Sequence, residues 1–344
     1  MKSRIERYWY ASNRPLRWLW PLAQLFTGLA RLRRYLHTRS AYQSSLPVLV
    51  VGNVTVGGTG KSPFTAWLAA FVQTQGWQPV ILSRGYGGST RQYPQLVGAD
   101  SDAAECGDEP VMLAQQTGCP VVIDPQRRRA AAWVEQQGLG NLLICDDGLQ
   151  HYHLARDLEF VLFDGARGAG NGAPLPVGPL REALQRLRNA DYCLSTGEPV
   201  HESWRAIEAQ AHHVHQVTQQ PGRLRHLHSS EVRPLQWLSD QTINGVAGIA
   251  NPERFFDSLI RLGAKVIPHP FPDHHRFVAE DFNLAHGPVV MTAKDAVKCR
   301  DLNLDNVWVL EVTAAPDAAL VRLLTRQLAN LKAATVTTPG ELHG

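Results

Sequence analysis

Between Leu46 and Pro63 the chain reads Leu-Pro-Val-Leu-Val-Val-Gly-Asn-Val-Thr-Val-Gly-Gly-Thr-Gly-Lys-Ser-Pro. An apolar run, a glycine-rich loop and a helix start, in that order, make a cradle for phosphate. Glycines let the backbone curl so that several N–H groups point at one anion, and the helix adds the positive end of its dipole. Pro63 is tolerated because the first turn loses no intrahelical donor there. The loop Thr55, Val56, Gly57, Gly58, Thr59, Gly60, Lys61 and Ser62 is therefore expected to bind a nucleotide such as ATP. Lys61 would reach the β- and γ-phosphates and the Ser62 hydroxyl would take a place on Mg²⁺. Thr55 stands where the usual pattern has glycine, so Gly57 and Gly58 must supply the flexibility.

Four further groups have residue types suited to phosphoryl transfer. Asp146 and Asp147 follow the apolar run Asn141–Cys145, as carboxylates that position Mg²⁺ would; a plain turn is the alternative, and either aspartate can be the one that acts. Gly107-Asp108-Glu109-Pro110 reads as a helix start, or as a base at Asp108 that accepts a proton from an attacking hydroxyl. Phe271-Pro272-Asp273-His274-His275 lies between a strand and a helix, where α/β folds bind ligands; adjacent histidines on one loop give no complete metal set. Pro174–Glu182 ends in Arg181, suited to phosphate charge, and Glu182, suited to a metal or hydroxyl contact, with helix capping as the competing role. The six histidines from His201 to His228 carry no assigned role.

The elements that must hold these groups alternate. Helices are expected over Phe64–Gln75, Glu109–Gln116 and Arg127–Gln137, and strands over Pro79–Leu82, Val121–Ile123, Asn141–Cys145 and Glu159–Phe163. A second set follows: strand Thr242–Gly248, helix Pro252–Leu262, strands Lys265–Ile267, Pro288–Met291 and Asn306–Glu311, and a closing helix Pro316–Leu331. Short apolar strands alternating with helices give an α/β fold, with a P-loop NTPase-like parallel sheet core, a second smaller α/β domain and an N-terminal membrane-associated helix. The expected boundaries are an interfacial anchor over 1–40, a kinase core over 41–200, a linker or edge ribbon over 201–235, a second domain over 236–312, and a closing helix with a frayed tail over 313–344.

Composition restricts the partners. The chain has 344 residues and a net charge of +3, yet residues 1–99 hold twelve Lys and Arg against one acid, Glu6. A basic half of this kind points to an anionic partner. The five cysteines are scattered without a C-x-x-C pair, which argues against a zinc site or disulfide framework and for buried thiols in a reducing compartment. Near the N-terminus the longest charge-free run, Trp18–Ala30, has thirteen residues, against the ~20 that a spanning helix needs. Trp9, Trp18, Trp20, Leu22, Leu25 and Phe26 offer apolar contact, and Arg14, Arg17, Arg31, Arg33, Arg34 and Arg39 can meet anionic headgroups. That describes an interfacial element; packing on its own domain and a tilted span over Pro15–Leu36 are the alternatives. Arginines that follow the apolar stretch, with no small-residue cleavage site, argue against a secretory signal.

The ordered motifs V-G-N-V-T-V-G-G-T-G-K-S-P, S-R-G-Y-G, G-D-E-P, D-D-G-L-Q-H, G-P-L-R-E, F-P-D-H-H and M-T-A-K-D-A-V-K together resemble the tetraacyldisaccharide 4′-kinase family, from the N-terminal segment to Lys298. Thr55 is part of that family's own pattern. The resemblance implies transfer of the ATP γ-phosphate, with Mg²⁺, to the 4′-hydroxyl of an acylated disaccharide 1-phosphate, forming lipid IVA in lipid A biosynthesis. It implies an Asp108–His274 dyad in which His274 orients or tunes the base, metal ligation by Asp146 and Asp147, and site roles for Arg181 and Glu182. It also implies residence at the cytoplasmic face of the inner membrane, with no nucleic acid and no obligate protein partner. If the dyad spans both α/β units, closure between them would complete the site and exclude water.

Other P-loop functions leave different marks. A guanine switch would carry Asn-Lys-x-Asp, whereas Thr292-Ala-Lys294-Asp295 misplaces the lysine. A nucleotide-gated membrane ATPase keeps the variant loop but makes no phosphorylated lipid. An enzyme on a soluble substrate has no use for the aromatic, basic N-terminus.

Overall fold

A computed structural model describes residues 8–10, 17–284 and 287–336. Arg14, Pro15 and the end of the tail, which the sequence reading used, lie outside the described residues. In chain order the elements are α1 (Trp20–Arg39), β1 (Val48–Gly52), α2 (Lys61–Thr74), β2 (Pro79–Ser83), β3 (Gln95–Val97), α3 (Ala103–Cys106), α4 (Asp108–Thr117) and β4 (Val121–Ile123). They continue with α5 (Arg127–Gln137), β5 (Leu142–Cys145), β6 (Leu158–Asp164), β7 (Tyr192–Thr196), α6 (Trp204–Glu208), β8 (Val214–His226) and β9 (Val232–Arg233). The last are β10 (Thr242–Ala247), α7 (Pro252–Arg261), β11 (Lys265–Pro270), β12 (Val289–Thr292), α8 (Ala293–Ala296), β13 (Val307–Pro316) and α9 (Ala318–Val336).

The chain divides into two compact units, 1–84 with 124–218 and 315–344, and 85–123 with 219–314. Segment 85–123 therefore leaves the first unit and returns, an exchange that no composition shift marks in the sequence.

In the first unit the strands run β2-β5-β1-β6-β7, followed by the start of β8, and the pairings are parallel. Every residue of β1, β2, β5, β6 and β7 is buried, as expected for parallel strands covered on both faces. The register Leu49↔Ile144 sets β1 directly beside β5. The loop leaving β1 and the aspartates leaving β5 thus emerge side by side at the carboxyl edge, where open α/β sheets bind ligands.

In the second unit β10, β11, β12 and β13 are parallel neighbours, and β9 pairs antiparallel with β8. Alternate residues supply opposite faces of this sheet. Val290, Trp308 and Leu310 pack with Ile243, Phe256 and Leu259, while Val289, Met291, Val307 and Val309 pack with Phe277 and Cys299. Residues 201–235 form α6, the 13-residue strand β8 and β9; the polar alternation of β8 hid its length.

The five cysteines are buried and free. No described helix is long and apolar enough to cross a membrane, which removes the tilted span as far as the described residues reach. α1 buries only Ala23, which packs with Ala173 and Val177, flanked by Trp20 and by Leu19 just before the helix. Trp20 and Trp9 thus serve packing: the Trp9 indole N–H donates to the Pro176 carbonyl at 3.2 Å. Trp18, Leu22, Leu25, Leu29, Leu32 and Leu36 are each more than half exposed at spacings of three and four, one continuous apolar face.

Candidate active site

The phosphate loop is built from both of its flanks. Gly57 (φ 105°) and Gly60 (φ 77°) take the left-handed conformations that make the curl. Thr55 needs no such freedom, because it forms a bridge with Leu180 and is buried; the odd residue in the loop thus sits in a paired segment. The Val56 N–H donates to the Pro179 carbonyl and the Arg181 N–H to the Val54 carbonyl, so Pro174–Glu182 braces the loop along its length. Gly60 is the N-cap of α2, which places Lys61 and Ser62 in the first helical turn. Thr196 Oγ1 donates to the Thr59 carbonyl at 3.0 Å, while the Thr59 hydroxyl is buried without a hydrogen bond.

Lys61 Nζ lies 3.3 Å from Asp147 Oδ1. Asp147 adopts a left-handed backbone (φ 47°), which aspartate tolerates better than most residues. Burial raises its carboxyl pKa, but the Lys61 ammonium and then the Arg181 guanidinium outweigh it and hold the group below the usual carboxylate range. Asp146 is turned the other way: its Oδ1 accepts from Thr65 Oγ1 on α2 at 2.9 Å, and Arg127 on α5 donates to its carbonyl. The two adjacent aspartates therefore have different surroundings, one on the loop lysine and one on the helix behind it.

Glu182 is anchored. Its Oε1 accepts from Gln150 at 3.0 Å, and its Oε2 accepts a short hydrogen bond from the Tyr152 hydroxyl. Burial and then the Glu182 charge push the Tyr152 phenol well above its ordinary value. Tyr152 also accepts from Arg186, which is paired to the buried Glu159. This network ties the Gly-Pro-Leu-Arg-Glu segment to the chain that follows Asp147. Arg31 and Arg34 of α1 join Arg181 and Arg186 around a pocket of about 70 Å³.

In the second unit His274 Nδ1 lies 2.9 Å from Asp108 Oδ2, across 166 positions of sequence. Asp108 opens α4 and is 5% exposed; its Oδ1 accepts the Glu109 N–H at 2.9 Å. His274 has φ 60°, a strained conformation for a side chain of this size, and the Asp273 carboxylate accepts its N–H at 3.1 Å. The Tyr86 ring meets the imidazole edge-on, with centroids 5.2 Å apart. Tyr86 reaches it because Gly88 and Gly107 allow the two loops to touch: a Cβ on Gly88 would lie 2.4 Å from the Glu105 carbonyl. Asp108 and His274 both belong to the second unit. The dyad is therefore contained in one unit, and the expected closure cannot act by assembling it.

Tyr86, Arg127, Gln150, Tyr152 and Lys294 join the site by contact and are not among the residues expected from the sequence. Tyr86, Gln150 and Lys294 lie inside recognised motifs; Arg127 and Tyr152 act through contacts that only folding reveals.

A profile of the family described as tetraacyldisaccharide-1-P 4′-kinase matches residues 15–329. The chain belongs to this family. A tetraacyldisaccharide 4′-kinase from Nitrosococcus oceani is 44% identical over 98% of both chains. One from Pseudomonas aeruginosa is 42% identical, covering 96% of this chain and 98% of its own. Among solved structures, LpxK from Aquifex aeolicus in complex with ATP is similar over 91% of this chain and 98% of its own, with a TM-score of 0.74 and 24% identity. That likeness supports the α/β fold.

Proposed function

We propose that the chain transfers the γ-phosphate of ATP to the 4′-hydroxyl of a tetraacyldisaccharide 1-phosphate presented at a membrane surface. Membership of the kinase family supports the reaction class. The observation that carries the site assignment is the 2.9 Å Asp108–His274 contact, which gives the second unit a buried carboxylate oriented by an imidazole. The loop 55–62 takes the triphosphate on its N–H groups and the Lys61 ammonium. Asp108 accepts the proton of the 4′-hydroxyl as its oxygen forms a bond to the γ-phosphorus and the bond to the bridging β,γ-oxygen breaks. ADP and a 4′-phosphorylated lipid leave, and the proton passes from Asp108 to water.

The donors fit Mg²⁺, which favours oxygen ligands and commonly uses one or two carboxylates beside substrate phosphates. Ser62, Asp146 and Asp147 would hold it: Ser62 stands in the first turn after the loop, and the Asp147 carboxylate is held ionised beside Lys61 at 3.3 Å. When bound, the ion would neutralise phosphate charge. Lys61 and Arg181 add positive charge at the loop. Phosphoryl transfer needs chiefly such positioning and charge neutralisation.

The exposed apolar face of α1, with Arg31, Arg33, Arg34 and Arg39 around it, supports docking on an anionic bilayer. Use of ATP favours the cytoplasmic face of the inner membrane. The test is incubation with labelled ATP, Mg²⁺ and detergent-dispersed disaccharide 1-phosphate, beside Lys61→Ala. Label at the 4′ position that disappears in the variant supports the reading. ATP bound with no lipid labelled, where an active family member labels it, overturns the reading in favour of a nucleotide-gated switch.

A further inference from the structure

Lys294 has no part in the chemistry described so far, yet its ammonium sits among the groups that surround the dyad. Nζ lies 3.3 Å from Asp273 Oδ1, 3.4 Å from Glu109 Oε1, 3.5 Å from His274 Nε2 and 3.9 Å from Asp108 Oδ2. The side chain is only 16% exposed. Burial favours the neutral amine, but Glu109, then Asp108 and Asp273, more than offset it and hold the lysine above its ordinary pKa. It is therefore an ammonium throughout the neutral range, with three donors and no acceptor.

The fold fixes where this ammonium points. Lys294 occupies the first turn of α8, directly after β12, and Thr292 caps that turn by accepting the Asp295 N–H. Asp295 is fully buried, accepts from Thr292 Oγ1 and from the Gly248 N–H, and pairs with Lys298 at 2.7 Å. A Cβ on Gly248 would come within 3.0 Å of the Asp295 carboxylate, so the glycine permits this junction. The Met-Thr-Ala-Lys-Asp motif thus braces the chain that aims Lys294.

We propose that Lys294 is a positioning residue that locks His274 in its Nδ1–H tautomer, so that the imidazole donates to Asp108. Asp273 Oδ1 also faces Nε2, at 3.8 Å, but Lys294 is nearer at 3.5 Å and takes up that carboxylate itself at 3.3 Å; an ammonium can only donate, so Nε2 keeps its lone pair. In the neutral ring the proton then lies on Nδ1, 2.9 Å from a carboxylate oxygen that can only accept. One Asp108 oxygen is thereby held by His274 and the other by the Glu109 N–H, and the carboxylate keeps one orientation for the incoming hydroxyl. The inference rests on the dyad assignment above, but its direct readout does not depend on which group is the base.

The full-length protein labelled with ¹⁵N-histidine reads the tautomer, with His274→Gln assigning the signal. The expected wild-type pattern is a protonated Nδ1 and an unprotonated Nε2. Lys294→Met should lose that pattern and lower kcat about 10- to 100-fold, the range for partners that orient an active group, with KM for ATP unchanged. Lys294→Arg should retain the pattern and recover most of kcat. A wild-type signal showing Nε2–H overturns the proposal without recourse to any variant. So does a Lys294→Met protein that keeps the Nδ1–H pattern, or one whose loss lies wholly in ATP binding. An Asp108→Asn enzyme that turns over normally would instead remove the dyad reading while leaving the tautomer result in place.

Discussion

Lys61 Nζ and Asp147 Oδ1 lie 3.3 Å apart, one at the start of the helix after β1 and the other just past the end of β5. The pair exists because those strands are parallel neighbours. With the carboxyl held below its ordinary value by Lys61, the contact contributes stability that is present above about pH 4, the unfolded aspartate value, and is lost as pH falls through the folded pKa. The Asp147 side chain is 43% exposed, so solvent screening keeps the contribution below about 1 kcal/mol. Urea unfolding without nucleotide should show Asp147→Asn slightly less stable than wild type at pH 7, with the gap closing below pH ~4. A gap that persists undiminished at pH 3 would remove the ion pair as its origin.

Asp108→Ala should bind ATP as the wild type does and lose most turnover, about 10²- to 10⁴-fold for removal of a general base. His274→Ala should be milder, because the imidazole orients the carboxylate. Calorimetric ATP binding beside steady-state kinetics separates the two effects. A large loss of ATP affinity in Asp108→Ala would place the residue with the metal instead.

Glu182 fills a structural place as well as any catalytic one. Glu182→Ala strips the partner from the Tyr152 hydroxyl and from Gln150 in a largely buried setting. Leaving a buried polar group unsatisfied costs about 1–3 kcal/mol. Chemical denaturation should show a loss of that order, with a smaller one for Glu182→Gln. No change in midpoint for either variant would contradict the brace.

The apolar face of α1 is tested by replacing Leu25, Leu29 and Leu32 together with glutamate. Co-sedimentation with anionic vesicles should fall sharply, while turnover on detergent-dispersed substrate stays near wild type. Binding of the unaltered protein should weaken with added salt, since the arginines act through screened charge. Vesicle binding that is unaffected by the triple change would place the docking surface elsewhere.

The phosphate loop was legible from residue order alone, because glycines, lysine and serine at fixed offsets between a strand and a helix have few other uses. The parallel α/β class was legible for the same reason: fully buried strands are written as short apolar runs. β3 and β7 were not, since three to five residues give too little periodicity, and neither was β8, whose polar alternation and Pro221-Gly222 resemble a loop. The motif around His274 was visible, but its partner across 166 positions was supplied by family resemblance and not by spacing. Nor does composition mark the two compact units, which depend on segment 85–123 packing with residues far along the sequence. Sequence determined which chemical groups are present and which elements carry them. Tertiary structure alone decided that Asp147 turns to Lys61 while Asp146 turns to Thr65, and that Lys294 faces the dyad. Such contacts depend on strand order and loop approach, to which local propensity is blind.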